Sequence, residues 1–431
     1  MYVFKFGGAS IRSAKEVKNA SDIISKYNNT PLMIVVSAMG KTTNALEQLT
    51  EYYFNCEHAK LGKLFSEIKD YHLEIAENLF NSKNCELVSL LNEKFAVIEY
   101  VLKESPGNNY DFEYDRIVSL GEELSATIIS HYLNKANIPN HWFHAKEIII
   151  TDARYRDANV YWDNTCKAIK GKLLPFLNKT NNNDKQPIAI TQGFIGGTSA
   201  GYITTLGREG SDYTAAILAY ALNADEVNIW KDVPGLLNAD PKKVKQTTLL
   251  PNISYQEAIE LAYYGAKVIH PKTLKPLLNK NIPLRVKSFY EPGKEGTLIN
   301  DNNKLDNQIP SYIFKSNQVL LSISSKDFSF IAEHNLSLIF SEFAKQNLRI
   351  NMMQNSAISF LVCFDFDKIK TPALIKGLEK SFNVESIYHK ELLTIRHYGK
   401  ADITPFIKNR QVIIEQKTCD TLQLLVKNQD H

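Results

Sequence analysis

Apolar positions along this chain fall into two kinds of run. Short continuous runs fit strands covered on both faces, and spaced runs fit helices with one buried stripe. Residues 2–6, Tyr-Val-Phe-Lys-Phe, are β-branched or aromatic around one lysine and stop at Gly7-Gly8. Residues 13–27 then place Val17, Ala20, Ile23, Ile24 and Tyr27 at helical spacing, and Pro31 precedes the run Leu32-Met33-Ile34-Val35-Val36. Strand, loop, helix and strand in that order predict a βαβ unit and hence a parallel sheet. Past Ala45 strand signals vanish, and helical patterns run through 47–53, 61–80 and 86–102, which predicts a helical insertion over about 45–115. The α/β pattern resumes at Ile117-Val118-Ser119-Leu120, expected as a strand leading into a helix at Gly121-Glu122. Further buried strands are expected at 187–191 and 226–230, with a polar loop at 181–184 before them.

Apolar content nearly disappears over 300–310, where Asp301-Asn302-Asn303 and Asp306-Asn307-Gln308 mark a boundary. This divides the chain into a first domain at 1–300, a linker at 301–310 and a second region at 311–431. The second region holds an approximate repeat. Leu320-Leu321-Ser322-Ile323 resembles Leu392-Leu393-Thr394-Ile395, and the stretch from Ile350 to Val362 resembles that from Val412 to Val426. Leu321 to Gln354 spans 33 positions where Leu393 to Gln416 spans 23, so the second copy is shortened around its first helix. Strand, helix, strand, strand, then a helix at 372–382 and a strand at 384–389, is the ferredoxin-like order.

Composition narrows the class. At 431 residues the chain exceeds one ordinary domain, and 44% apolar with 23% charged residues describes a globular protein. Fifty basic against 47 acidic side chains leave +3, no electrostatic reason to expect nucleic acid or a membrane as partner. No run approaches the roughly 18 apolar residues of a membrane helix. The N-terminus lacks the basic-then-apolar layout of a secretory signal. Five scattered cysteines without C-x-x-C argue against a disulfide framework or zinc site, and the expected location is the cytoplasm.

Candidate chemistry clusters where strands end. Gly7-Gly8 after Lys5 would let backbone N–H groups approach an anion beside a cation; the plainer reading is a tight strand-to-helix turn. Gly40-Lys41-Thr42 is no Walker loop, because Val35 occupies the position of the required first glycine. Residues 193–211 contain six glycines and lead through Arg208 to Ser211 and Asp212. Helix capping would explain the last two, yet a cap needs neither the glycines nor an arginine suited to a carboxylate or phosphate. Trp230-Lys231-Asp232 closes a strand, Asp240-Pro241-Lys242 follows, and Lys267 after Gly265 is a further candidate phosphate cation. Glu122 alone is explained by the helix dipole, and His270 before Pro271 by structure.

Taken together, these segments resemble the aspartokinase family. The resemblance rests on Lys5-Phe6-Gly7-Gly8-Ala9-Ser10, Val36 to Gly40 with Thr43-Asn44, Gly121-Glu122 with Ser125, and Thr204 to Ala215. It continues through Asp232-Val233 with Gly235, Asp240-Pro241, and Gly265 to Pro271, and covers the chain from Met1 to about Ile299. It implies an amino-acid-kinase fold, a mostly parallel sheet between helices, followed by ACT regulatory modules. It also implies ATP-dependent phosphorylation of L-aspartate on its side-chain carboxylate, the first step toward lysine, threonine and methionine. Lys5, Asp212 and Lys267 would be catalytic, with Asp212 holding the lysines. Lys5, Gly7, Gly8, Ser10, Lys231, Asp232, Lys242, Lys267 and Val268 would meet ATP. Thr43, Glu122, Arg208, Gly210 and Ser211 would bind aspartate, Arg208 clasping a carboxylate and Glu122 attracting the ammonium. No protein ligand for Mg²⁺ stands out, so the phosphates would supply most of its coordination.

The chain departs from the family pattern at Ala9 and Lys231, where threonine is usual, at Leu237 for tyrosine and at Lys242 for arginine. In the second region the resemblance implies one contiguous ACT module at about 318–390 and a shortened one built from 311–316 with 391–427. It also implies a homodimer through these modules and an amino-acid effector. Lysine-inhibited relatives use acidic residues where this chain has Asn351 and Ala357, so lysine inhibition is expected to be weak or absent, with threonine or no effector as the alternatives. Two alternatives stay open: a glutamate-type amino-acid kinase, and a catalytically silent amino-acid sensor.

Overall fold

The computed structural model describes residues 1–27, 29–83, 85–178, 186–266, 269–327 and 329–428. The expected loop at 181–184, and the candidates Lys267 and Val268, lie outside them. The chain forms two compact units: Met1–Leu236 with Leu249–Ile259 and Val268–Asn303, and Leu237–Thr248 with Glu260–Lys267 and Lys304–His431.

The first unit contains strands β1 (Tyr2–Phe6), β2 (Leu32–Val36), β3 (His141–Trp142), β4 (Ile188–Gln192), β5 (Ile195–Gly197) and β6 (Ile203–Thr205). β7 (Glu226–Lys231), β8 (Asn252–Ser254), β9 (Leu284–Ser288) and β10 (Thr297–Asn300) follow. One sheet runs β3-β4-β2-β1-β7-β9-β10-β8, parallel except for the β9–β10 pair. β5 and β6 form a separate hairpin. β2 is buried at every position, as its unbroken apolar run requires.

Helix α1 (Ala14–Ser25) begins at Ser13, whose side chain accepts from Lys15 N. α2 (Thr42–Phe54), α3 (His58–Phe80), α4 (Glu86–Lys103), α5 (Tyr110–Val118) and α6 (Leu120–Lys135) follow β2 with no strand between them among the described residues. α7 (Trp162–Leu177), α8 (Gly210–Leu222), α9 (Tyr255–Tyr264) and α10 (Pro271–Leu278) complete the helices. Phe4, Phe6 and Trp230 on one sheet face share a core cluster with Ile24 of α1, Leu91 of α4 and Ile128 of α6. α8 lies against β1, β2 and β7 and is buried almost throughout, a helix with a sheet on one side and helices on the other.

The strand expected at 117–120 is not one. Ile117 and Val118 end α5, and Leu120 begins α6. Asn109 caps α5 by accepting from Phe112 N, and Tyr114, Ile117 and Val118 form its buried face. A four-residue apolar run reads alike in a buried strand and on a helix stripe, and helical spacing from Tyr114 decides it here.

The second unit holds β11 (Ser311–Ser325), α11 (Glu333–Lys345), β12 (Ile350–Asn355), β13 (Ser359–Asp365), α12 (Lys370–Leu378) and β14 (Phe382–Arg396). α13 (Thr404–Ile407), β15 (Arg410–Lys417) and β16 (Thr421–Asn428) follow. The antiparallel sheet order is β12-β13-β11-β14-β16-β15. The first six elements have the ferredoxin-like arrangement. β11 and β14 are each 15 residues long and pair along both halves, with a register shift between Lys315 and Gln318. In the second half the helix is only α13, four residues against 13 in α11. Segment 237–248 is stitched to this sheet: Tyr312 N donates to Asn238 O at 2.7 Å, and Lys243 Nζ meets Glu391 at 2.6 Å. Among the described residues no helix is long and apolar enough to cross a membrane.

Candidate active site

Strand register brings two lysines to one place. Lys5 on β1 lies opposite Ile229 on β7, and side chains alternate along a strand, so Lys231 projects from the same face as Lys5. α8 covers that face with Asp212 in its first turn. Lys5 Nζ lies 2.7 Å from Asp212 Oδ1, and Lys231 Nζ lies 3.5 Å from Oδ2. Burial by itself would raise the pKa of Asp212, but the two ammonium groups outweigh it and hold the carboxylate below its ordinary value.

The entrance to α8 is built differently from the capping expected at Ser211 and Asp212. The residue before the helix is Glu209, left-handed at φ 55°, and its side chain makes no cap; its Oε2 accepts from His270 N at 2.8 Å. Ser211 and Asp212 sit inside the first turn, so the Asp212 carboxylate is free to serve the lysines instead of the backbone. His270 caps α10 by accepting from Lys272 N, the structural role expected of it. Gly193, after β4, lies so close to α8 that a Cβ there would stand 2.4 Å from Ser211 Cβ.

The turn after β1 is equally tight. A Cβ on Gly8 would stand 2.8 Å from both Ala38 O and Gly40 O, and Gly40 N donates to Gly8 O at 3.0 Å. The loops after β1 and β2 therefore share backbone contacts that admit no side chain at Gly8. Ser10 Oγ donates to Trp230 O at 2.8 Å, which ties this turn to β7.

A cleft of about 580 Å³ opens at these strand ends. Of the candidates read from the sequence, Lys5, Gly8, Thr43, Glu122, Arg208, Gly210, Ser211, Asp212 and Lys231 line it. Gly7 adjoins Lys5 Nζ without lining the cleft, Ser10 is buried beneath it, and Asp232 is exposed just beyond Lys231. Lys242 belongs to the second unit, where it is exposed.

Glu122 is buried on α6. Its Oε1 accepts from Ala38 N at 3.4 Å, and its Oε2 has no hydrogen-bond partner among the described residues. Burial pushes its pKa up to about 8, with Ala38 N and Lys5 opposing. A carboxylate so placed in a cleft wall is suited to a ligand cation. Arg208 is exposed and forms no ion pair among the described residues, which leaves its guanidinium for an anion.

Sequence reasoning passed over Arg156, Tyr114 and Glu47, which line the same cleft, and Asp115 behind them. Asp115 is fully buried and accepts from Thr205 N, Thr205 Oγ1 and Arg156 N; burial still pushes its pKa up to about 6. The one trace in the sequence is an aspartate beside the buried stripe of α5, a signal visible only once 110–118 is read as helix.

The model of the amino acid kinase family matches residues 1–288. Aspartokinase 1, chloroplastic, of Arabidopsis thaliana is 33% identical over 87% of this chain, and the chain spans 65% of that relative's length. The lysine-sensitive aspartokinase 3 of Escherichia coli is 31% identical, with 89% of this chain and 84% of that one covered. The crystal structure of E. coli aspartokinase III in complex with aspartate and ADP superposes with a TM-score of 0.82 at 27% identity, covering 99% of this chain and 96% of that one. The chain therefore belongs to the amino acid kinase family and, within it, to the aspartokinases.

Proposed function

We propose that this chain transfers the γ-phosphoryl group of ATP to the side-chain carboxylate of L-aspartate, giving 4-phospho-L-aspartate and ADP, at the head of lysine, threonine and methionine synthesis. The observation that carries this reading is the one cleft that joins the Lys5–Asp212–Lys231 cluster to Glu122 and Arg208. A relative solved with both aspartate and ADP supports the pair of substrates.

A carboxylate is already a nucleophile at neutral pH, so no general base is required. One aspartate oxygen attacks the γ-phosphorus, the bond to the β–γ bridging oxygen breaks, and its electron pair leaves with ADP. Two anions must meet, so catalysis comes from alignment and charge neutralisation. Lys5 and Lys231 would face the phosphates, with Asp212 fixing their ammonium groups. Gly7 and Gly8 would offer backbone donors, and Ser10, Asp232, Lys267 and Val268 would complete nucleotide contact, as in the family pattern. Glu122 would take the α-ammonium and Arg208 the carboxylate that does not react, with Thr43, Gly210 and Ser211 beside them. Mg²⁺ would neutralise phosphate charge. Asp212 is engaged by lysines and Glu122 is deeply buried, so the phosphates would supply most of its coordination. A homodimer through the ACT modules, whose sheet leaves β12 and β15 as edges, and an amino-acid effector belong to the same reading.

The test is ADP release with ATP, Mg²⁺ and a panel of amino acids, the acyl phosphate being trapped with hydroxylamine. Aspartate alone should give signal. Turnover with glutamate or N-acetylglutamate in its place would redirect the assignment, and no turnover with any of them would leave a sensor.

A further inference from the structure

The cleft contains a second guanidinium, that of Arg156, which belongs to none of the motifs behind the proposed reaction. It lies in the irregular chain between β3 and α7, and its backbone is left-handed, with φ 67°. A long side chain holds that conformation only when its surroundings impose it. Here they do. Arg156 N donates to both oxygens of the buried Asp115 carboxylate, at 3.1 and 3.0 Å. The same carboxylate accepts from Thr205 N at 2.8 Å and from Thr205 Oγ1 at 2.7 Å. One side chain on α5 therefore locks the turn at Arg156 to the last residue of β6, just ahead of Gly207-Arg208.

The two segments then run against each other. Ala158 N donates to Thr205 O at 2.9 Å, and a Cβ on Gly207 would stand 3.3 Å from Arg156 O. Arg156 and Arg208 are thus carried to the same cleft by stretches in backbone contact. The Arg156 guanidinium lies 4.5 Å from the Tyr114 ring and donates through one nitrogen, Nη1, to Asp111 at 3.2 Å. An arginine has five N–H donors, so this anchoring on one edge leaves others for a ligand. A carboxylate with two oxygens can accept from two guanidinium groups at once.

We propose that Arg156 is a substrate-recognition residue that binds, together with Arg208, the carboxylate of the acidic amino acid that is not phosphorylated, and that Asp115 is the positioning residue presenting it. This rests on the phosphoryl-acceptor reading above. Glu122 would hold the ammonium while the arginine pair holds the neighbouring carboxylate, so that the remaining carboxylate points at the lysines.

Steady-state kinetics and calorimetric titration of aspartate on the full chain test it. Arg156→Gln should raise KM and Kd for aspartate about tenfold or more, the scale of losing a charged hydrogen bond, with KM for ATP within about twofold. Arg156→Lys should fall between. Asp115→Asn should shift KM for aspartate in the same direction, and if it fails to fold, the exposed Arg156 side chain still carries the test. An aspartate KM within about twofold of wild type in Arg156→Gln, or a parallel rise in KM for ATP, would overturn the inference and leave the aspartate-kinase reading standing. A wild-type chain that neither binds nor phosphorylates an acidic amino acid would overturn both.

Discussion

Asp212 illustrates how single residues are used in this site. Its side chain is 3% exposed and that of Lys5 10%, so each charge is tolerable only because the other is there. Asp212→Asn would leave two ammonium groups crowded without their counter-ion, and a loss of about 3–5 kcal/mol, measured by denaturant unfolding, is expected. Lys5→Ala should lower kcat about a hundredfold or more, the scale of losing one preorganised charge-stabilising donor; near-normal turnover would remove Lys5 from the chemistry. Glu122 behaves in the opposite sense. Its folded pKa of about 8 lies above the ordinary 4.5, so the ligand-free fold binds an extra proton between those values and loses stability as pH rises through them. Glu122→Gln should flatten the decline of Tm across that window while weakening aspartate binding by about tenfold or more. Aspartate affinity of the wild type should rise with pH toward about 8 and then level, because its ammonium requires the ionised carboxylate. A variant with the wild-type Tm profile would show that Glu122 is not the titrating group.

At the scale of elements, the approach of a strand to a helix sets the geometry. The end of β4 and the start of α8 approach so closely at Gly193 that any side chain must push the helix away. Gly193→Ala should therefore lower Tm and cut kcat by about tenfold or more, since a displacement of about 1 Å is enough for such a loss. Unchanged kcat would show that α8 can shift without cost. The six glycines over 193–211 marked this stretch as more than a helix cap, but not that Gly193 is where β4 meets α8. Lys5, Glu122, Arg208 and Asp212, each expected from a motif of the family resemblance, do line one cleft. The run at 117–120 misled because four apolar residues say nothing about period. Arg156 was invisible for a different reason: its place depends on Asp115, 41 positions earlier, through bonds to the backbone that leave no pattern in composition. Local spacing records what neighbours do, and a buried carboxylate linking three segments is not a neighbourly event.

At the scale of the whole molecule, regulation is the open variable. E. coli aspartokinase III has been solved with lysine and aspartate, in a T-state. In this chain Asn351 is occupied otherwise: its amide nitrogen donates to Gln318 at 2.8 Å and to Asp365 at 3.1 Å, while its oxygen accepts from Lys315 at 2.7 Å. A neutral residue locked into such a network offers no new counter-charge to an incoming ammonium. Lysine inhibition should accordingly be weak or absent, and an inhibition constant in the low micromolar range would refute this. The shape of the sheet matters here. β11 and β14 run through both ferredoxin-like halves, and where the halves meet, beside the register shift, each carries one left-handed residue, Asn317 at φ 57° and His389 at φ 56°, so the shared strands have a bend built in at the junction. A displacement of one half would thus reach its neighbour only through two ribbons jointed at the same level, a hinge line that the short helix of the second half does nothing to brace.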